Sequence, residues 1–442
     1  MKNFEQFIGS FSFDWRLAKV DITGSVAHVQ MLVKTKILSS ADGKKIIKGL
    51  QSISKDIEKG WKLPQAEDIH YAIEKELIKR TGPVGGKMHT ARSRNDQVAT
   101  DLRLYIREEI NDIVKMLNQF QSVLIHNAEK SLDVIMPGYT HLQPAQPILA
   151  SHHLLAYAWM MQRDKERLSD CLKRVNILPL GSAALAGTSF KIDRNYVAKL
   201  LNFDKVTDNS LDAVSDRDFA CEYIFALSMI AVHLSKLSEE IVVWSSVEFG
   251  FIKIDDVFTS GSSIMPQKRN PDCAEIIRGK SGRVFGDLMA MLTIVKGLPL
   301  AYNRDLQEDK PPVFDATDTI KLCLEVITEM MKSFSFNKEK TMKSTEKGFL
   351  QATEIADYLA RKNIPFRTAH AIVKDIVNFC IKNNKTLDSL SINEYKKFSE
   401  NIGKDIFGFI NINNIINAKN SIGGTSKKSV LKQITDIKKC IN

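Results

Sequence analysis

Apolar positions recur with a helical rhythm in three stretches of the chain. Ile106, Ile110, Ile113, Leu117, Phe120 and Leu124 follow one another at alternating steps of four and three, the spacing that keeps one face of an α-helix apolar. Leu227, Ile230, Leu234, Leu237, Ile241 and Trp244 repeat the rhythm, as do Val284, Leu288, Met291, Val295 and Leu298. Each stripe needs a partner helix to cover it. Ser151 to Asn176, entered through Gln146-Pro147 where proline suits a first helical turn, predicts a further member. A helix of roughly 30 residues is on the order of 45 Å long, and such helices stabilise one another side by side. An all-α fold is expected, with a central bundle of long helices over residues 99–345.

The flanks read differently. Residues 1–98 carry shorter patterns interrupted at Gly24, Gly43, Gly60 and Thr81-Gly82-Pro83, and predict a small N-terminal helical domain. After Asn337 the chain becomes rich in Lys and Asn, with short periodic pieces at Ala352 to Lys362 and Thr368 to Lys382, so 346–442 predicts a small C-terminal helical domain. The 22 Gly and 12 Pro in 442 residues are few breakers, in keeping with long helices.

A net charge of +10 raises the question of nucleic acid. The lysines are scattered, however, and no basic run joins aromatic stacking residues, so no nucleic-acid partner is expected; a cationic surface also suits a small polyanionic substrate. The six cysteines lie fifty or more residues apart, which excludes zinc-ligand spacing and reads as reduced, mostly buried thiols. Met1 to Phe7 lacks a charged-then-apolar signal pattern, which points to the cytoplasm. The uncharged stretch from Val134 to Gln162 is broken by Pro137, Pro144 and Pro147 and is no membrane span.

Nucleotide and hydrolase motifs fail. Gly279-Lys280-Ser281 ends like a phosphate loop, but Ala274 stands where its first glycine should be, and neither GxGxxG, HExxH nor GxSxG occurs. Three polar clusters interrupt the helical pattern instead. Gly261 to Asp272 (GSSIMPQKRNPD) is a loop offering a cation at Lys268 and an amide at Asn270, placed before a helix whose N-terminal end an anion would feel; a plain solvated connection is the alternative. His89 to Gln97 (HTARSRNDQ) sets two arginines before the first long helix. Arginine's fork suits carboxylates, but the cluster also reads as an elaborate helix cap with Asn95 or Asp96 as cap residue. Pro137 to Gln143 (PGYTHLQ) supplies one histidine between two helices, either structural or catalytic.

Together these clusters resemble the argininosuccinate lyases, within the superfamily of class II fumarases, aspartases, adenylosuccinate lyases and δ-crystallins. GSSIMPQKRNP is similar to the superfamily signature, and HTARSRNDQVATDLRLYIR, PGYTHLQPAQP, LPLGSAALAGTSF, SDRDF and KGLPLAYNRDLQEDK resemble the subfamily. The likeness runs from Asp21 to Thr425. It implies a three-domain helical subunit, a homotetramer with each site built from three subunits, no cofactor and no metal. The implied reaction is reversible elimination of L-argininosuccinate to L-arginine and fumarate, the last step of arginine biosynthesis. By resemblance Ser262 and His141 are the proton-transfer pair, with Ser262 as base and the reverse assignment as the alternative. Glu275 orients His141, and Lys268 and Asn270 face the developing negative charge. Substrate contacts fall on Ser25, Ser93, Arg94, Asn95, Thr140, Tyr302, Gln307 and Lys310. Sister lyases and an inactive crystallin-like scaffold are the competing expectations.

Some positions depart from the family pattern. Its usual Trp-Gly-Gly-Arg-Phe opening is not among these residues, Ala183 stands where a glycine is expected after Gly181-Ser182, Arg269 where lysine is common, and Cys273 sits on the helix after the signature loop.

Overall fold

A computed structural model describes Phe4 and Phe7–Ile441. Helices of ten residues or more are Ala18–Lys34 (α1), Ser40–Glu58 (α2), Ile69–Thr81 (α3), Arg94–Lys130 (α4), Ala150–Val175 (α5), Asp218–Ser245 (α6), Asp272–Val295 (α7), Lys310–Ser333 (α8), Ala352–Arg361 (α9), Phe366–Lys382 (α10) and Lys427–Lys438 (α11). At 37 residues α4 is about 55 Å long. The chain is mostly helical, as its patterning predicts. Strands among the described residues are short; those used below are Ile135–Thr140 (β1), Gln143–Leu149 (β2), Ser260–Gly261 (β3) and Arg269–Asn270 (β4).

The stripes on α4 and α6 are buried throughout, from Ile106 to Leu124 and from Leu227 to Trp244. The third behaves differently. Val284 and Met291 are buried, but α7 ends at Val295, before Leu298, and turns at Gly297 with φ +75°. Phe285, Met289 and Leu292 form an exposed apolar stripe on another face, and Ile276 is exposed on the opposite side of the helix from that stripe. The helix α6 is long and apolar enough to cross a membrane, and most of its most apolar stretch is buried within the protein.

Backbone contacts divide the chain into two compact units. The first comprises Met1–Lys115, Asp164–Val232 and Lys280–Leu322, the second Met116–Arg163, His233–Gly279 and Cys323–Asn442. In the first, α1, α2 and α3 pack on one another. Gly24 and Gly43, expected to interrupt helices, lie inside α1 and α2. Close approach explains Gly43: a Cβ there would meet Val33 Cγ2 at 2.2 Å. Gly60 and Gly82 do stop helices, at φ +89° and +71°. In the second unit, β1 and β2 form an antiparallel hairpin, and α9 and α10 enclose a core around Ile355, Leu359, Ile376 and Tyr395. All six cysteines are free thiols; Cys171, Cys323 and Cys380 are buried, Cys221 and Cys273 partly so, and Cys440 is exposed.

Candidate active site

In the first unit, polar residues converge on a cavity of about 190 Å³ lined by Arg94, Asn95, Tyr302, Gln307 and Lys310, with Ser10, Asp14 and His70. The start of α4 supplies two of them. Ser93 is its cap residue, where Asn95 or Asp96 was expected: the Ser93 hydroxyl accepts from Asn95 N at 3.2 Å, and Asp96 Oδ1 accepts from Ser93 N at 3.0 Å. This reciprocal pair satisfies amide donors that a helix start leaves open. Asp96 Oδ2 accepts from the amides of Gly181 and Ala183 at 2.9 and 2.8 Å. Burial nevertheless pushes its carboxyl up to about 6. Arg94 Nε lies 3.2 Å from Asp68, and Asn95 Nδ2 donates to Ala184 O at 3.0 Å.

Lys310 opens α8 and is held from behind. Its Nζ donates to Asp309 Oδ1 at 2.7 Å, and Arg217 Nε donates to the other oxygen of the same carboxylate. All three side chains are buried. Burial alone would raise the Asp309 carboxyl, but the Lys310 and Arg217 charges outweigh it and hold it below its ordinary value. The SDRDF segment thus has a structural task, because its arginine anchors the carboxylate that orients Lys310. Burial also pushes the Tyr302 phenol up.

Ser25 stands elsewhere. It is fully buried in α1, accepts from Arg92 at 2.9 Å, and does not line this cavity. Ser10 and Asp14 do line it, and the residue patterns did not single them out. Ser10 Oγ donates to Asp14 Oδ2 at 2.6 Å, and Asp14 Oδ1 accepts from Ile69 N at the start of α3. Their spacing of one helical turn inside the aromatic stretch from Phe7 to Trp15 was the available signal.

The segment Gly181–Gly187 beside Asn95 is pinned by Arg194, whose guanidinium donates to the carbonyls of Leu178, Pro179 and Leu180. Gly181 has φ +97°, and a Cβ there would meet Arg194 Cγ at 2.7 Å. Ala183, in place of the expected glycine, has φ +56°, a conformation that costs a non-glycine residue about 1–2 kcal/mol. Glycine would give back roughly 0.5–1 kcal/mol in unfolded-chain entropy, so the strain outweighs it. Ala183→Gly is expected to stabilise the protein by roughly 0.5–1 kcal/mol, read as a higher midpoint of urea unfolding; a lower midpoint would mean that Ala183 is unstrained.

In the second unit His141 and Leu142 form the two-residue turn of the β1–β2 hairpin, with φ +55° and +56°. Such turns normally carry Asn-Gly. Strain is therefore stored where a histidine is displayed, and His141 is exposed. Thr140 ends β1 and lines a cavity of about 510 Å³ with Tyr139, His153 and Trp244.

The loop between β3 and β4 carries Ser262 and Lys268. Ser260 pairs with Asn270 and Gly261 with Arg269, which closes its base. Ser262 Oγ accepts from the amides of Ile264 and Met265 at 3.3 and 3.0 Å. Lys268 is exposed and Asn270 partly buried, its amide 3.4 Å from Ser260 Oγ. Glu275 and Asp272 sit in the first turn of α7. A helix start supplies about half a positive charge, which two carboxylates exceed. The α7 end is therefore a poor partner for an anion, leaving the amides and Lys268 to supply the positive potential. Among the described residues no hydrogen bond joins His141 to Ser262 or Glu275.

Residues 2–286 match the family model described as Lyase, and residues 349–417 the one described as Argininosuccinate lyase C-terminal. The argininosuccinate lyase of Syntrophus aciditrophicus is 52% identical over 98% of this chain and 92% of the relative. That of Acetivibrio thermocellus is 52% identical over 98% and 95%. Among solved structures, an EDDS lyase in complex with formate superposes with a TM-score of 0.88 at 26% identity, covering 97% of this chain and 87% of that one. A class II fumarase from Schistosoma mansoni shares the fold, with a TM-score of 0.75 at 17% identity and 90% coverage of both chains.

Proposed function

This chain belongs to the argininosuccinate lyase family, and from that premise we propose how its residues divide the work. The chain is a carbon–nitrogen lyase that reversibly eliminates L-arginine from L-argininosuccinate, leaving fumarate. The observation that carries the mechanism is the pair of loop amides donating to Ser262 Oγ. A serine hydroxyl is too weak a base to take a proton from carbon; its alkoxide is strong enough, and N–H donors already aimed at the oxygen favour that form. Ser262 removes the proton from the succinyl carbon beside a carboxylate. The electron pair spreads into that carboxylate, and Lys268 and Asn270 face the resulting double negative charge. The carbon–nitrogen bond then breaks, its electrons leave with the guanidino nitrogen, and His141 protonates that nitrogen. Glu275 orients His141. With the signature loop acting on the succinyl end, the cavity around Arg94, Asn95, Tyr302, Gln307 and Lys310 takes the arginyl end, and Ser93 and Thr140 complete the contacts.

The same reading makes the enzyme a cytoplasmic homotetramer with each site drawn from three subunits, without cofactor, metal, membrane or nucleic acid. Two features support the assembly: the apolar stripe of α7 at Phe285, Met289 and Leu292 needs covering, and among the described residues His141 makes no hydrogen bond to Ser262 or Glu275 of its own chain.

Fumarate release followed by ultraviolet absorbance, with argininosuccinate, adenylosuccinate, aspartate and malate offered separately, tests the substrate. Turnover is expected with argininosuccinate alone. Activity confined to one of the other three would replace the assignment with that sister lyase.

A further inference from the structure

His70 has no part in the mechanism above, yet it is a buried ionisable group at the cavity, held between two carboxylates. It is the second residue of α3 and only 2% exposed. Its Nδ1 lies 3.0 Å from Asp21 Oδ1, on α1, and 3.2 Å from Asp101 Oδ2, on α4. Both carboxylates are themselves buried, and the Gln97 amide also donates to Asp21 Oδ1. Three helices therefore fix the ring. A nitrogen shared by two carboxylate oxygens at these distances carries a proton. With its proton on Nδ1 the ring is clamped between the two carboxylates, hydrogen-bonded to Asp21 and beside Asp101.

The clamp occupies only one edge of the imidazole. Nε2 is buried and has no hydrogen-bond partner, and His70 lines the cavity beside Asp14, Arg94, Tyr302 and Lys310. We propose that His70 is a substrate-binding residue whose Nε2–H donates to the α-carboxylate of the arginyl end of the substrate, with Asp21 and Asp101 as positioning residues that turn this edge toward it. The proposal rests on the lyase reading above. Burial alone would lower the His70 pKa, but the hydrogen bonds to Asp101 and Asp21 outweigh it and push it up to about 10, so the ring is an imidazolium at neutral pH with a proton on each nitrogen. An imidazolium only donates. Among the acceptors of this substrate the carboxylates carry the charge, and those of the succinyl half belong to the signature loop. Buried donors are normally satisfied; the partner of this one arrives with the ligand.

Two substitutions separate the ring's edges. In His70→Asn the amide nitrogen can replace Nδ1 toward the aspartates, but nothing reaches the position of Nε2. In His70→Gln the amide nitrogen can reach the Nε2 position. The probes are L-arginine and agmatine, which is arginine without its carboxylate, each as an inhibitor of fumarate release. Wild type is expected to prefer arginine over agmatine, with the His70 contact supplying roughly tenfold to hundredfold of that preference, the worth of one charge-assisted hydrogen bond. His70→Asn should lose that share of the preference and raise KM by a similar factor with a smaller change in kcat, and His70→Gln should keep most of it, with melting curves confirming that both variants are folded. Equal effects of the two substitutions, or a preference for arginine that is undiminished in His70→Asn, would overturn the proposal. Should His70→Asn fail to fold, wild-type protein labelled with 15N-histidine decides: saturating L-arginine, but not agmatine, shifts the Nε2–H resonance of His70, and an unmoved resonance refutes the contact. That measurement needs no turnover. Wild type that releases no fumarate from argininosuccinate would instead refute the lyase reading.

Discussion

Ser262→Ala is expected to lower kcat by about 10³-fold or more, the upper range for loss of a positioned proton-transfer group, while leaving the melting midpoint of the protein where it was. The two effects separate because of where the serine sits. Its hydroxyl accepts from the amides of Ile264 and Met265, and the side chains of both residues are exposed, 82% and 41%. Removing the acceptor frees two amides that water can satisfy, so little stability is lost. The chemistry has no such substitute: water bound in the same loop would have to be deprotonated with the same two amides and Lys268, but without the covalent tether that holds the base against the reacting carbon. His141→Asn should likewise remove turnover, through the leaving-group proton. Single-turnover measurement of fumarate with each variant checks both expectations, and full activity in either would remove that residue from the mechanism.

How much of this was legible in the residues depended on whether a feature repeats. The stripes on α4 and α6 recur over five turns or more, and every member is buried, because a helix of that length needs cover on one face whatever its neighbours are. A single glycine carries less information: Gly43 reads as a breaker, yet it lies in the first turn of α2, where the missing Cβ lets the helix approach Val33. The hairpin that displays His141 was illegible for the opposite reason. Pro137, Pro144 and Pro147 argue against strands, and the turn uses His-Leu where Asn-Gly is usual, so no local preference announces it. At the cavity, Arg94, Asn95, Tyr302, Gln307 and Lys310 came from the family resemblance and do line one space. Ser25, in the same motif-rich stretch as Asp21, turns inward to Arg92, while Ser10 and Asp14 reach the cavity from a segment with no distinctive motif. The clamp on His70 joins residues from three helices, and no spacing along one chain encodes such a meeting.

Mixing two inactive proteins is expected to restore activity. Ser262→Ala retains His141, and His141→Asn retains Ser262. If the base and the acid of each site come from different subunits, a mixed tetramer contains some sites that receive both intact groups. With random assortment in an equal mixture, the base is intact in half the sites and the acid in half, so about a quarter of wild-type activity returns. Because recovery follows the product of the two fractions, a nine-to-one mixture should return only about a tenth. That dependence separates complementation from contamination by wild type, which would scale with one component alone. The twofold requirement also bears on the apolar stripe of α7: subunits joined through Phe285, Met289 and Leu292 exchange only when that stripe is uncovered, so recovery should need mild denaturant or co-expression. If exchange is verified by two differently tagged chains eluting together and no activity returns, base and acid belong to one subunit. His141 would then have to approach Ser262 within its own chain, by movement of the signature loop toward the hairpin turn.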